Sequence, residues 1–260
     1  MKKIFAVCTL LALSLPLARA QTNLLRGGKF TPVKMDGEET AAYGWNLVDY
    51  GRMTNNWWNP EKKKYLSGRD CFKLSFSENT LSMEFLTTAP EDYFSQKLYL
   101  YNTSGRMPAP AAPEYRMTGQ VKLDMGKLII AKTKACSPAD QWQEINLTIS
   151  EELYKTTRGH TIFTITPAPG MKISFRDFKL EALYPSVPGA AVHLPHNGKL
   201  QQFIIPENAS FDLKYLAECW KSWVWRLTGI ALPIVEGNTD MTLPNAFVFR
   251  KGIPLREDGN

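Results

Sequence analysis

Between Cys71 and Leu180, apolar residues recur at every second position, and this spacing restricts the fold more than any other feature of the chain. Phe72, Leu74 and Phe76 alternate with Lys73 and Ser75, and Leu81, Met83 and Phe85 with Ser82 and Glu84. Leu98 and Leu100 alternate with Tyr99 and Tyr101, and Ile145, Leu147 and Ile149 with Glu144, Asn146 and Thr148. Val121 and Leu123, the run 127–132, Phe163 and Ile165, Ile173 and Phe175, and Phe178 and Leu180 extend the pattern. Successive strand residues point to opposite faces, so each strand buries one side. Gly, Pro, Asn and Ser clusters punctuate the strands, and only Glu151–Lys155 suits a turn of helix. The spacing predicts a mainly β domain over 21–183, with two stacked antiparallel sheets of about four or five strands each.

The N-terminus sets the compartment. Lys2 and Lys3 precede an apolar run from Ile4 to Leu17, and Ala18-Arg19-Ala20 presents small residues where a signal peptidase cuts. Residues 1–20 therefore read as a secretory signal peptide, and the product as secreted or periplasmic. Ile4–Leu17 is short for a bilayer, and no later segment is apolar enough to cross one, so membrane insertion is not expected. Removal of Lys2, Lys3 and Arg19 lowers the formal net charge of +6 by three, to +3. That weak charge speaks against a nucleic-acid partner, although Lys62-Lys63-Lys64 follows Trp57 and Trp58. Export would permit a Cys71–Cys136 disulfide, but the spacing alone does not require one.

A Pro/Gly-rich stretch from Tyr184 marks a linker over 184–199. Residues 200–260 then change character. A strand at Phe203–Ile205 is followed by an amphipathic helix over Ser210–Thr228, with Ser210 as N-cap, Asp212 in the first turn and Gly229 after the last. Leu213, Leu216, Ala217, Trp220, Trp223, Val224 and Leu227 form one apolar stripe. Trp225 falls off it and would be exposed unless another domain covers it. Strands at Leu232–Val235 and Ala246–Phe249 complete what reads as a truncated α/β segment, because a single helix cannot cover both faces of a parallel sheet. Half a domain buries little apolar area, so the chain beyond about Gly189 is expected to be protease-sensitive.

Several segments, taken in order, resemble a known family. Asn23-Leu24-Leu25-Arg26-Gly27-Gly28-Lys29-Phe30 with Gly44-Trp45, then Tyr115–Val121, Trp142-Gln143-Glu144-Ile145 and Met171–Leu180, resemble the family 4/9-type carbohydrate-binding modules, which are galactose-binding-like jelly rolls. The resemblance implies a two-sheet antiparallel jelly-roll sandwich that is non-catalytic, takes a poly- or oligosaccharide as partner, and buries Trp45 and Trp142. Relatives often hold a structural calcium. Here Lys29 and Thr31 occupy the first of the acidic places and Arg176 precedes the single Asp177, so no metal or other cofactor is expected, with Lys29 or Arg176 pairing with Asp177 instead. The helix with Arg226-Leu227-Thr228-Gly229-Ile230-Ala231-Leu232-Pro233 resembles the first half of the N-terminal domain of α-glucuronidases. That resemblance implies a missing C-terminal catalytic domain in full-length relatives, and a polysaccharide-degrading context.

Sugar rings combine apolar C–H faces with a rim of hydroxyls, so a binding site needs exposed aromatic platforms beside planar polar groups. Trp57, Trp58, Tyr99 and Tyr101 are the candidate platforms, with Asn55 and Asn56 as polar neighbours. No catalytic constellation is present in the 260 residues. Glu38-Glu39 and Glu151-Glu152 are adjacent in sequence rather than opposed across a cleft. His193 and His196 lack a third ligand, and His160 has no nucleophile partner. Two functions from different classes fit: a glycan-binding module, and a spacer or adhesion-type sandwich without a sugar site.

Overall fold

The computed structural model describes residues 22–35, 38–48, 57–59, 64–66, 68–89, 91–95, 97–106, 110–157, 162–185, 187, 189–194, 198–239 and 245–249. The strands in chain order begin with β1 (Pro32–Met35), β2 (Glu38–Ala42), β3 (Trp45–Val48), β4 (Trp57–Asn59), β5 (Lys64–Leu66), β6 (Phe72–Ser77) and β7 (Thr80–Phe85). They continue with β8 (Leu98–Asn102), β9 (Glu114–Leu123), β10 (Lys127–Ile130), β11 (Lys134–Cys136), β12 (Ala139–Ser150), β13 (Phe163–Thr166) and β14 (Lys172–Leu183). Short helices α1 (Glu91–Phe94) and α2 (Glu151–Thr157) interrupt them.

Ten of these strands make two five-stranded antiparallel sheets, ordered β12-β9-β14-β7-β6 and β11-β10-β13-β8-β3. The result is the two-sheet antiparallel sandwich that the alternation predicts, the jelly roll that the resemblance implies. Its core is formed by the inward residues of both sheets, among them Tyr115, Met117, Val121, Ile173, Phe175, Leu100, Leu128 and Ile165. At its centre Phe30 stacks on Trp45, and Phe163 packs edge-on against Phe178 at 4.8 Å. Strand β14 carries one extra residue between Arg176 and Lys179, with Asp177 at φ 53°. This bulge restores the parity, so Phe175 and Phe178 both face inward. Gly119 on β9 leaves the space that the Phe178 ring fills.

Two side-chain amides, Asn102 buried and Asn23 half-buried, tie down the start of the domain. Asn23 Oδ1 accepts from the backbone N–H groups of Leu25 and Leu180, and its Nδ2 donates to the Phe178 carbonyl at 3.0 Å. Asn102 exchanges hydrogen bonds with the N–H and C=O of Arg26.

After Tyr184 the described residues include a further pair of strands. Strands β15 (Val192–His193) and β16 (Lys199–Leu200) pair as a hairpin, so His193 lies on a strand; His160 and His196 lie outside the described residues. Strand β17 (Gln202–Ile205) is central to a parallel sheet with β18 (Ile234–Glu236) and β19 (Ala246–Val248) on either side. Helix α3 (Phe211–Thr228) has the expected caps: the Ser210 side chain accepts from the Leu213 N–H, and Gly229 is left-handed.

The predicted single stripe on α3 is in fact divided. Leu213, Ala217 and Val224 pack on the parallel sheet. Leu216, Trp220, Trp223 and Leu227 are exposed, and with Phe247 of β19 they form an apolar ledge in which Trp220 stacks on Phe247. A third face docks on the sandwich. Phe211, Tyr215 and Cys219 join its core, Tyr215 being 1% exposed. The Ser222 hydroxyl donates to the Ala111 carbonyl and accepts from the Ala111 N–H. Arg26 pairs with Asp212 and Arg226 with Glu151. Trp225 is half-buried edge-on against Tyr184, so the sandwich is the domain that covers it. Cys71, Cys136 and Cys219 are thiols, not disulfide partners.

Candidate functional site

The outer face of the β12-β9-β14-β7-β6 sheet carries rows of polar side chains beside an indole. Strand register places Glu144, Gln120, Arg176 and Thr80 side by side across four strands. Arg176 Nε donates to Gln120 Oε1, and Gln120 Nε2 donates to Glu144 Oε1. The Arg176 guanidinium also lies 4.2 Å from the centroid of the Trp142 ring. A carboxylate, an amide and a guanidinium, all planar, thus stand in a row beside an indole. The adjoining row reads Lys122, Ser174, Ser82 and Ser75, with the Ser82 and Ser174 hydroxyls 2.8 Å apart. Beyond it Lys172 faces Glu84 at 3.8 Å. These groups hold one another, so little side-chain entropy remains to be lost when a ligand arrives. Arg176 spends one of its five N–H donors on Gln120.

The sequence-predicted platforms fare differently. Asn55 and Asn56 lie outside the described residues, as do the side chains of Trp57 and Trp58. The backbone of Trp57 and Trp58 is not a loop but strand β4, paired with β5 in a hairpin. This hairpin lies by the 3-10 turn Gly68–Cys71 that leads into β6. Tyr99 is half-buried on the outer face of the other sheet, in register with Thr164. Tyr101 is only 3% exposed and cannot serve as a platform. Alternation assigns it to the outer face correctly. However, it lies opposite Asn46, two residues before the turn at Thr103–Arg106, where burial leaves it almost no exposed surface.

The expectation that both tryptophans are core holds for Trp45, which is buried and donates from Nε1 to the Gly27 carbonyl at 2.8 Å. It fails for Trp142, which is half-buried and carries Arg176. Nor does Arg176 take the role of partner to Asp177; Gln120 and Trp142 occupy it. Among the described residues no group of three or more His, Cys, Asp or Glu is placed to hold a metal ion. Also among them, no helix is long and apolar enough to cross a membrane.

No protein-family model matches the chain, and no curated protein matches it. Solved structures give distant likenesses. A family 29 carbohydrate-binding module mutant complexed with mannohexaose is 10% identical with a TM-score of 0.32, covering 63% of this chain and 91% of that one. A second mutant, complexed with cellulohexaose, gives 10% and 0.32 over 63% and 90%. The Clostridium thermocellum N-terminal endo-1,4-beta-D-xylanase, as family 22 binding and family 10 hydrolase modules with xylohexaose, is 11% identical with a TM-score of 0.26. It covers 80% of this chain, which spans 36% of that one. At these values the likenesses carry no functional argument, and the sandwich assignment rests on the strand pairing itself.

Proposed function

We propose that the sandwich is a non-catalytic carbohydrate-binding module of an exported polysaccharide-degrading protein, and that it takes a glycan chain across the outer face of the β12–β6 sheet. The observation that carries this reading is the Trp142 ring set beside the Arg176–Gln120–Glu144 row. The indole offers an apolar surface to a sugar ring, and the planar groups offer donors and acceptors to its hydroxyls. Five strands spaced by about 4.8 Å make a face wide enough for several sugar rings. Trp57, Trp58 and Tyr99 remain candidate platforms; the first two belong to a hairpin near the β6 edge of the same sheet.

The α/β unit is, in this proposal, the opening of a domain of the α-glucuronidase N-terminal type that precedes a catalytic domain. Support comes from the exposed ledge of Leu216, Trp220, Trp223, Leu227 and Phe247, where a further layer would pack. The spacer reading has its own support: α3 is built into the sandwich core, as a structural joint would be.

Affinity electrophoresis in gels containing xylan, β-glucan or mannan separates the two. Retardation that is lost on Trp142→Ala supports the sheet-face site, and loss on Trp57→Ala with Trp58→Ala extends it to the hairpin. A well-folded protein that no polymer retards is a spacer.

A further inference from the structure

A cleft of about 410 Å³ opens where the sandwich meets the α/β unit, at the Glu181 end of β14, two register rows along the sheet from the Arg176–Gln120 row. Its walls include Thr22 and Glu181 from the sandwich, Tyr184 after β14, Glu218 and Lys221 from α3, and Leu232 before β18. That volume falls within the range of small-molecule sites, roughly 300–1,000 Å³.

The acidic groups are buried and paired, and one buried hydroxyl is not. Glu181, 5% exposed, sits between Lys179 Nζ at 2.6 Å and Arg116 Nη2 at 3.1 Å. Glu218, 3% exposed, faces Lys221 Nζ at 3.3 Å, and that ammonium also lies 4.6 Å from the Tyr184 ring centroid. Burial pushes the Glu218 carboxyl above the usual carboxylate range, against the opposing pull of Lys221. Thr22 is 6% exposed, and its hydroxyl is buried without a hydrogen-bond partner. Buried hydroxyls are seldom left so, and this one belongs to a residue lining a cavity large enough to hold a partner.

We propose that this cleft is a second binding site, for one neutral, hydroxyl-rich ring: a monosaccharide unit, either free or at the end of a glycan chain. Thr22 and Lys221 supply donors, Glu181 and Glu218 supply acceptors, and Leu232 and the Tyr184 ring supply apolar surface for C–H groups. Neutrality follows from the charges. An anion would meet two carboxylates, and a cation would meet Lys221 with Lys179 and Arg116 behind Glu181. The cleft is half open, and its volume suits a free ring or the terminal unit of a chain. None of these residues belongs to the Trp142 row, so the site does not depend on the sheet-face reading.

Trp225, edge-on to Tyr184 at 5.6 Å, provides the reporter. The full-length chain is titrated with glucose, xylose, mannose, cellobiose and xylobiose, following tryptophan fluorescence and heat. A response to at least one sugar is expected. Thr22→Val should weaken it about tenfold, the scale of one lost hydrogen bond, and Glu218→Gln should weaken it as well, while Trp142→Ala leaves it intact. Saturation by a monosaccharide identifies a free-sugar site; response to a disaccharide alone identifies a chain-end site. Silence toward the whole panel, or unchanged binding in both Thr22→Val and Glu218→Gln with wild-type circular dichroism, overturns the proposal. Loss of the response in Trp142→Ala also overturns it, because the sugar would then be on the sheet face.

Discussion

Replacing Trp142 by alanine tests the sheet-face reading most directly, because the structure fixes the expected effect on both folding and binding. The ring is half-buried, lies outside the sandwich core and touches the Arg176 guanidinium at 4.2 Å. Losing an exposed cation–π contact costs about 0.5–1 kcal/mol, whereas truncating a fully buried aromatic costs about 3–5 kcal/mol. The variant should therefore fold, with its melting temperature lower by about 2–4 °C, the shift that 1 kcal/mol produces in a domain of this size. Binding should suffer far more. An aromatic anchor at the centre of an interface contributes about 2 kcal/mol or more, which is about a 30-fold rise in Kd. Isothermal titration with the polysaccharide that retards the wild type measures it. A well-folded variant whose Kd stays within about threefold of wild type refutes the role given to the ring, and a variant that does not fold refutes the placement of Trp142 outside the core.

Four further outcomes follow from the packing. Gly119→Ala would place a Cβ 2.7 Å from Phe178 ring carbons already boxed in by Phe163; overpacking of about 1–3 kcal/mol is expected, and an unchanged urea midpoint contradicts it. Wild-type α3 should resist trypsin at Lys214, Lys221 and Arg226 as well as the sandwich does, because Tyr215 is in the shared core. Tyr215→Ala should lose about 3–5 kcal/mol and open those sites, and equal digestion of both proteins would show that the helix is not docked. Burial raises the Glu218 carboxyl, with Lys221, Tyr184 and Glu181 around it, so the native state binds its proton more tightly than the unfolded chain does. The stabilising effect of that proton is present below the unfolded value near 4.5 and fades as the pH rises through the folded one. Wild type should thus gain stability relative to Glu218→Gln on acidification from pH 7 to 5, and thermal melts showing a pH-independent difference would contradict the assignment. Burial lifts the Cys71 and Cys219 thiols to about 11, so about one in a thousand is ionised at pH 8. Native protein should react with a disulfide reagent far more slowly than unfolded protein.

Much of the sandwich was legible because strand parity is a local property. The alternation named Leu81, Met83, Phe85, Ile145 and Ile149 as inward, and they are buried. The spacing ran as two separate pairs, Ile173 with Phe175 and Phe178 with Leu180, and the structure joins them in one strand through a bulge. The caps of α3 were equally local. Failures came where a tertiary neighbour decides. Parity put Tyr101 outside but could not show that burial leaves it almost no exposed surface. The same parity, applied to Trp142, sets it with Glu144 and Asn146 on the outer side. The resemblance, which buries an aromatic residue there, overrode that signal, and the Arg176–Gln120–Glu144 row went unseen with it. On α3, helical spacing joined Leu213, Leu216, Ala217, Trp220, Trp223, Val224 and Leu227 in one stripe but could not divide that stripe between the parallel sheet and solvent. Nor did spacing show that Phe211, Tyr215 and Ser222 would meet the sandwich.

The amide clamp at Asn23 has a consequence in time. Its partners, the backbone groups of Phe178 and Leu180, come 155 and 157 residues later. A chain made from its N-terminus must hold that asparagine in water until the last sandwich strand has been synthesised. No earlier length can close the shell, so completion is late and governed by distant pairings. A nascent chain halted before Lys172 should remain an open, chaperone-accessible intermediate.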